Sequence, residues 1–166
     1  MNFIDDTVNW CKGEIFEGKM SLLFGMVMLI LSFVYFKWGS TPGARAMFLP
    51  LLVIAILTIS AGIYLVNTNQ KRIPRYESQF KENPQQFLES EKMRTEDFIR
   101  WYPITQKIFF GIMIVGMLCL ILSHSSIIRA IGIALMLLVL YVFVLDHFSE
   151  ERAIFYYSKI IEHSLN

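Results

Sequence analysis

Four long apolar runs, residues 20–36, 46–66, 108–122 and 127–145, constrain this chain more than any motif in it. A helix needs about 20 predominantly apolar residues to cross a hydrocarbon core of roughly 30 Å. The second and fourth runs meet that need unaided, although Arg129 lies near the start of the fourth. The third is shorter, and Ile104 with the aliphatic stem of Lys107 extends it toward the interface. Closed β-barrels are the other backbone that lipid tolerates, and they require alternating segments of about ten residues that are missing here. With 55% hydrophobic and 17% charged residues among 166, the chain carries more apolar surface than a soluble domain can bury. The expectation is an all-α membrane protein with four transmembrane helices.

Two connections are short. Residues 37–43 contain Gly39, Pro42 and Gly43, the chemistry of a tight turn, and residues 123–126 read Ser-His-Ser-Ser. Each predicts an antiparallel hairpin. The resulting division is an amphipathic helix over 1–19, cytoplasmic or interfacial, and a first hairpin over 20–66. A cytoplasmic helical loop over 67–105, a second hairpin over 106–146 and a cytoplasmic C-terminal helix over 147–166 follow. The first run is longer than the roughly 7–15 residues of a secretory signal core, and acidic residues Asp5, Asp6, Glu14 and Glu17 precede it. It is expected to remain as an anchor.

Orientation follows from Lys and Arg near the spans. Lys12, Lys19, Lys71, Arg72, Arg75, Lys81, Lys92, Arg94, Arg100, Lys107, Arg152 and Lys159 fall on one side; Lys37, Arg45 and Arg129 fall on the other. This bias predicts a bacterial inner-membrane protein with both termini and the 67–105 segment in the cytoplasm. Every acidic residue lies on that same side.

The two halves share a faint pattern. Arg45-Ala46 and Arg129-Ala130 each open a long apolar span, and Arg72 and Tyr76 match Arg152 and Tyr156 after it. A parallel duplication of the hairpin accounts for these pairs. Coincidence accounts for them equally well, because Arg and Tyr are common at membrane interfaces.

The polar parts read as helical. Pro84 suits the first turn of a helix, residues 85–100 are mostly good helix formers, and Pro103 predicts a kink or break. Apolar positions Phe3, Ile4, Val8, Cys11 and Ile15 recur at helical spacing, as do Ile154, Tyr157, Ile160, Ile161 and Leu165. Such helices can lie on the membrane surface or pack into a cap under the spans.

Catalytic chemistry is sparse. Cys11 and Cys119 form no CxxC pair, which argues against a disulfide, a redox site or a cysteine zinc site. Within the spans the polar side chains are Ser21, Ser32, Tyr35, Thr58, Ser60, Tyr64 and Tyr141. Ion-coupled transporters usually keep a carboxylate or histidine there. His147, Glu150 and Glu151 share helical spacing and are the candidates for a metal site. No second histidine position completes it, so solvated interface charges with Arg152 facing Asp146 or Glu150 are the favoured account. Gly25, Ala55, Ser60, Ala61, Gly62, Gly111, Gly116, Gly132 and Ala134 are candidates for close helix packing.

Together these features predict a non-enzymatic protein without catalytic residues or cofactor. It would act through a protein partner or as a homo-oligomer, as an accessory subunit or an immunity or defence-type factor. Its partners are membrane lipids and protein, and not nucleic acid, which calls for a basic stripe. Candidate partner-binding residues are Arg72, Tyr76, Arg94, Arg100, Asp146, His147, Glu151, Arg152 and Tyr156. One alternative is an oligomeric channel or transporter for small anions or apolar molecules, with Arg45 and Arg129 at its outer mouth. The other is metal binding at His147, Glu150 and Glu151.

Overall fold

The computed structural model describes residues 3–165, and these are helical apart from short connections. The order is α1 (Phe3–Trp38), α2 (Pro42–Ala46), α3 (Phe48–Glu82), α4 (Pro84–Leu122) and α5 (Ser126–Ser164). The four long helices are apolar enough and long enough to cross a membrane, the pattern of a multi-pass membrane protein. They run 35 to 39 residues, roughly 53–58 Å at the α-helical rise. That exceeds a hydrocarbon core of about 30 Å, so each helix also has a polar stretch outside its apolar run.

Local chemistry sets the breaks. After α1, the Gly39 N–H donates to the Tyr35 carbonyl at 3.0 Å. The Thr41 hydroxyl accepts from the Ala44 N–H at 3.1 Å and Pro42 follows at the first turn of α2. A single residue, Asn83, joins α3 to α4. Its extended backbone ends one helix, its side chain caps the next by accepting from the Gln86 N–H at 3.1 Å, and Pro84 starts the new turn. Ser123 and Ser125, both extended, separate α4 from α5.

Several expectations change in detail. The segment 67–105 is the end of α3 and the start of α4, broken only at Asn83. α4 passes through Pro103 without interruption, and α3 likewise contains Pro74. The predicted helix over 1–19 is the beginning of α1, unbroken into the first apolar run, and the one over 147–166 is the end of α5. Met1, Asn2 and Asn166 of those two segments lie outside the described residues.

α1 packs most extensively on α3, and α4 on α5; α1 also meets α5. Glycines set both main crossings. A Cβ on Gly62 would lie 2.6 Å from the Gly18 carbonyl, and one on Gly132 would lie 2.7 Å from that of Gly116. Backbones approach this closely only without a side chain between them. Gly111, by contrast, has nothing within 4 Å of its Cβ position and is not a packing glycine.

Two apolar cores result. One, at the end carrying the termini and nearly all charge, joins Phe3, Trp10, Cys11, Phe87, Tyr102, Ala153, Tyr156 and Ile160. The other, at the opposite end, joins Met28, Met47, Leu51, Ile54, Ala55, Ala130 and Ala134. We refer to these as the charged end and the apolar end.

Candidate functional site

The densest chemistry lies inside the charged end. Along α1 the buried residues Phe3, Thr7, Trp10, Glu14, Glu17 and Ser21 alternate by four and three, the spacing of a helix seam in a bundle. Polar residues therefore occupy core positions. Glu91, Thr95 and Tyr102 of α4 and Ser149, Ala153 and Tyr156 of α5 supply the facing seams.

Glu91 is the hub of one half of this network. It is 3% exposed. Its carboxylate accepts from Arg94 twice, at 2.9 Å from Nε and 2.6 Å from Nη2, and from the Tyr156 hydroxyl at 2.9 Å. Since Tyr156 gives its proton to Glu91, the Thr7 hydroxyl, 2.9 Å away, must donate to Tyr156. Arg94 also lies 5.9 Å from the Trp10 ring centre. The ring of Tyr156 stacks on those of Trp10 and Phe3, while Tyr76 meets Phe87 in the same cluster.

Arg152 is the hub of the other half. Its Nη2 donates to Glu17 at 2.5 Å and lies 3.6 Å from Glu14 Oε1, too far for a hydrogen bond. Glu14 Oε1, Arg152 Nε and Thr95 Oγ1 are buried with no hydrogen-bond partner. Nearby, Tyr102 donates to Ser149 at 3.0 Å. Burial pushes Glu14 upward from the usual carboxylate range against the opposing Arg152 charge. Burial and then the Glu14 charge push Glu17 up to about 7. Burial raises the Cys11 thiol to about 11, which leaves it a poor nucleophile.

The candidate residues thus separate into two groups. Tyr156 is buried, and Arg94, Arg152, Tyr76 and Arg72 are half-buried against other helices; Arg72 reaches Asn69 at 3.4 Å. Arg152 faces Glu14 and Glu17, not Asp146 or Glu150, because the side of α5 that carries it lies against α1. Asp146 instead accepts from Thr105 at 3.3 Å, and Glu150 accepts from Gln106 at 2.9 Å. Arg100, His147 and Glu151 are exposed, with Arg100 3.9 Å from Asp97 and His147 3.6 Å from Glu151.

Glu150 is therefore turned toward α4 while His147 and Glu151 face each other on the surface. Among the described residues no three His, Cys, Asp or Glu side chains gather as a metal site would require. At the apolar end, the Arg45 Nε donates to the Gly39 carbonyl at 2.9 Å and the Arg129 Nε to the Leu120 carbonyl at 3.3 Å. Both are exposed and play similar parts, Arg45 bonding back to the connection just after α1 and Arg129 to the last turn of α4.

Glu14, Glu17, Glu91 and Gly18 are the site residues that sequence reading passes over. The available signal is the alternation by four and three that places carboxylates in line with Phe3 and Trp10. Comparison with protein families, curated proteins and solved structures finds no match to this chain.

Proposed function

We propose that this is a non-enzymatic protein of the bacterial inner membrane. Its spans would form two antiparallel hairpins above a helical cytoplasmic cap, and it would act by binding another protein or a second copy of itself. An accessory subunit of a membrane complex, or an immunity or defence-type factor, is the kind of role this implies. The carrying observation is the way charges divide at the charged end. Of the buried ones, Arg152 pairs with Glu17 between α5 and α1, and the Glu91–Arg94 pair within α4 is tied to α5 by Tyr156. Arg100, His147 and Glu151 face outward with only near neighbours on their own helices. A rigid surface of mixed sign suits a protein partner better than nucleic acid, which selects a basic face.

The parallel bonds of Arg45 and Arg129 favour the duplicated-hairpin account. Each of these bonds engages only the Nε of its guanidinium, so they do not decide for or against the channel alternative. Several polar side chains in the spans are engaged within the bundle, which weakens the channel alternative: Ser21 meets Tyr141 at 2.6 Å between α1 and α5, Ser32 donates to the Phe48 carbonyl at 2.8 Å, and Thr58 donates to the Ile54 carbonyl on its own helix.

Photo-crosslinking in cells tests the binding proposal. A crosslinking residue at Arg100, His147 or Glu151 is expected to capture one discrete protein, or the chain itself. The same residue at Leu122 or Ile127 should not. Equal capture at both ends, or none at the charged end, would overturn the proposal. Reporter fusions at residue 83 and at the C-terminus test the orientation, with cytoplasmic signals expected from both.

A further inference from the structure

At the apolar end a cleft of about 420 Å³ opens between α3 and α5. Val53, Ile54 and Leu57 form one wall and Ile131 and Leu138 the other, and Arg45 is the sole residue of its lining with a polar side chain. Val53 and Leu57 are about half exposed, so the cleft is open along its side.

Arg45 stands where the apolar run of α3 begins, and its Nε is fixed by the Gly39 carbonyl. Its two terminal nitrogens have no partner among the described residues. Lys37, Arg45 and Arg129 share this end with no carboxylate at all, since every Asp and Glu lies toward the other end of the helices. From Arg45 to Leu57 is roughly 18 Å along a helix. That is close to the depth of one leaflet, half of a core of about 30 Å.

We propose that this cleft binds one anionic phospholipid, an acyl chain lying along Val53 and Leu57 and the phosphate held by the free nitrogens of Arg45. A guanidinium meets phosphate through two parallel hydrogen bonds, which fixes the headgroup as well as attracting it. The uncompensated positive charge selects a net-negative headgroup over a zwitterionic one. A helix of a partner protein, about 10–12 Å across with its side chains, does not fit in this volume over that length. The inference rests on the chain spanning a bilayer and is independent of the partner-binding proposal.

Native mass spectrometry of the detergent-purified protein tests it, with phosphatidylglycerol and phosphatidylcholine of identical chains offered together. The wild type should retain one phosphatidylglycerol in preference to phosphatidylcholine by about fivefold, as one arginine–anionic lipid contact supplies. Arg45→Gln should bring that ratio near one, and Arg129→Gln should leave it unchanged. Val53→Trp, which fills the cleft, should cut retention of both lipids several-fold.

Equal retention of the two lipids by the wild type would overturn the proposal, as would an unchanged ratio in Arg45→Gln. Displacement of the lipid preference by free glycerol phosphate would mark a soluble-phosphate site and overturn it too. Alkaline washing of membranes separates this failure from failure of the spanning reading. A chain that resists extraction still spans the bilayer even if the lipid result is negative.

Discussion

The two ends of this bundle solve the same packing problem with opposite materials. At the charged end four helix stretches meet around Glu91, Arg94, Tyr156, Glu17 and Arg152, with aromatic rings between them. At the apolar end the core is Met28, Leu51, Ile54, Ala55 and Ala134, and the helices leave an open cleft. Apolar packing against lipid gains little, because acyl chains are as apolar as leucine. Polar pairing outside the hydrocarbon region is directional, and one partner removed leaves the other buried and unsatisfied. The charged end should therefore be the intolerant one, and the apolar end the adaptable one.

Glu91→Ala offers the largest break in that contrast. It strands the guanidinium of Arg94 and the hydroxyl of Tyr156 together, and loss of one member of a buried pair costs about 3–5 kcal/mol. Partial exposure of Arg94 places the expected loss near the lower figure. Unfolding in detergent, followed by circular dichroism, measures it. A loss below about 1 kcal/mol, the size of a surface pair, would show that the network is peripheral to stability.

The acidity of Glu17 gives the charged end a pH dependence that the apolar end lacks. Its folded-state pKa, about 7, lies above the ordinary value of 4.5, so folding favours the protonated carboxyl. That stabilisation is complete below about pH 4.5 and is lost as pH rises through 7. Glu17→Gln should flatten the fall in stability between those values. A wild-type profile already flat across that window would contradict the burial assigned to this group.

The spans were legible in the sequence because hydropathy and length belong to the segment itself. The Asn83 break carried local signals as well, Asn followed by Pro. The network was not legible, because a glutamate reads as solvated until its partner is known. Glu17 meets Arg152 from 135 positions away, and Glu91 meets Tyr156 from 65. The helical character of 67–105 was legible from its helix formers and Pro84, whereas its continuity with the spans on either side was not, because polarity does not say where a helix begins. The side chains of His147, Glu150 and Glu151 do not share one direction for a related reason. Gln106 of the neighbouring helix engages Glu150, and sequence spacing on α5 does not encode that contact.

Both ends share one feature, the glycine crossings, and there the contrast should narrow. Gly62→Leu and Gly132→Leu each force apart backbones now in contact, an overpacking cost of about 1–3 kcal/mol. Gly111→Leu, with open space at its Cβ position, serves as the matched control and should be neutral. Comparable losses at Gly62 and Gly132 place the glycines among the elements that hold the helix pairs. A loss at Gly62 alone would sharpen the contrast by showing that the apolar end relaxes around an added side chain.

The smallest effect is expected at the two arginines of the apolar end. Arg45 and Arg129 are exposed, and each gives one hydrogen bond to a backbone carbonyl, Arg45 to Gly39 just after α1 and Arg129 to Leu120 near the end of α4. Such a bond on the surface competes with water, so Arg45→Gln and Arg129→Gln should each change stability by no more than about 0.5 kcal/mol. Detergent unfolding midpoints within error of wild type would leave both variants fit for the lipid measurement. A larger loss at either site would mean that the turn depends on its arginine, because an unanchored turn frees the helix end it ties. In that case the apolar end has a polar keystone of its own, and the division between a rigid charged end and an adaptable apolar end would have to be redrawn around the turns.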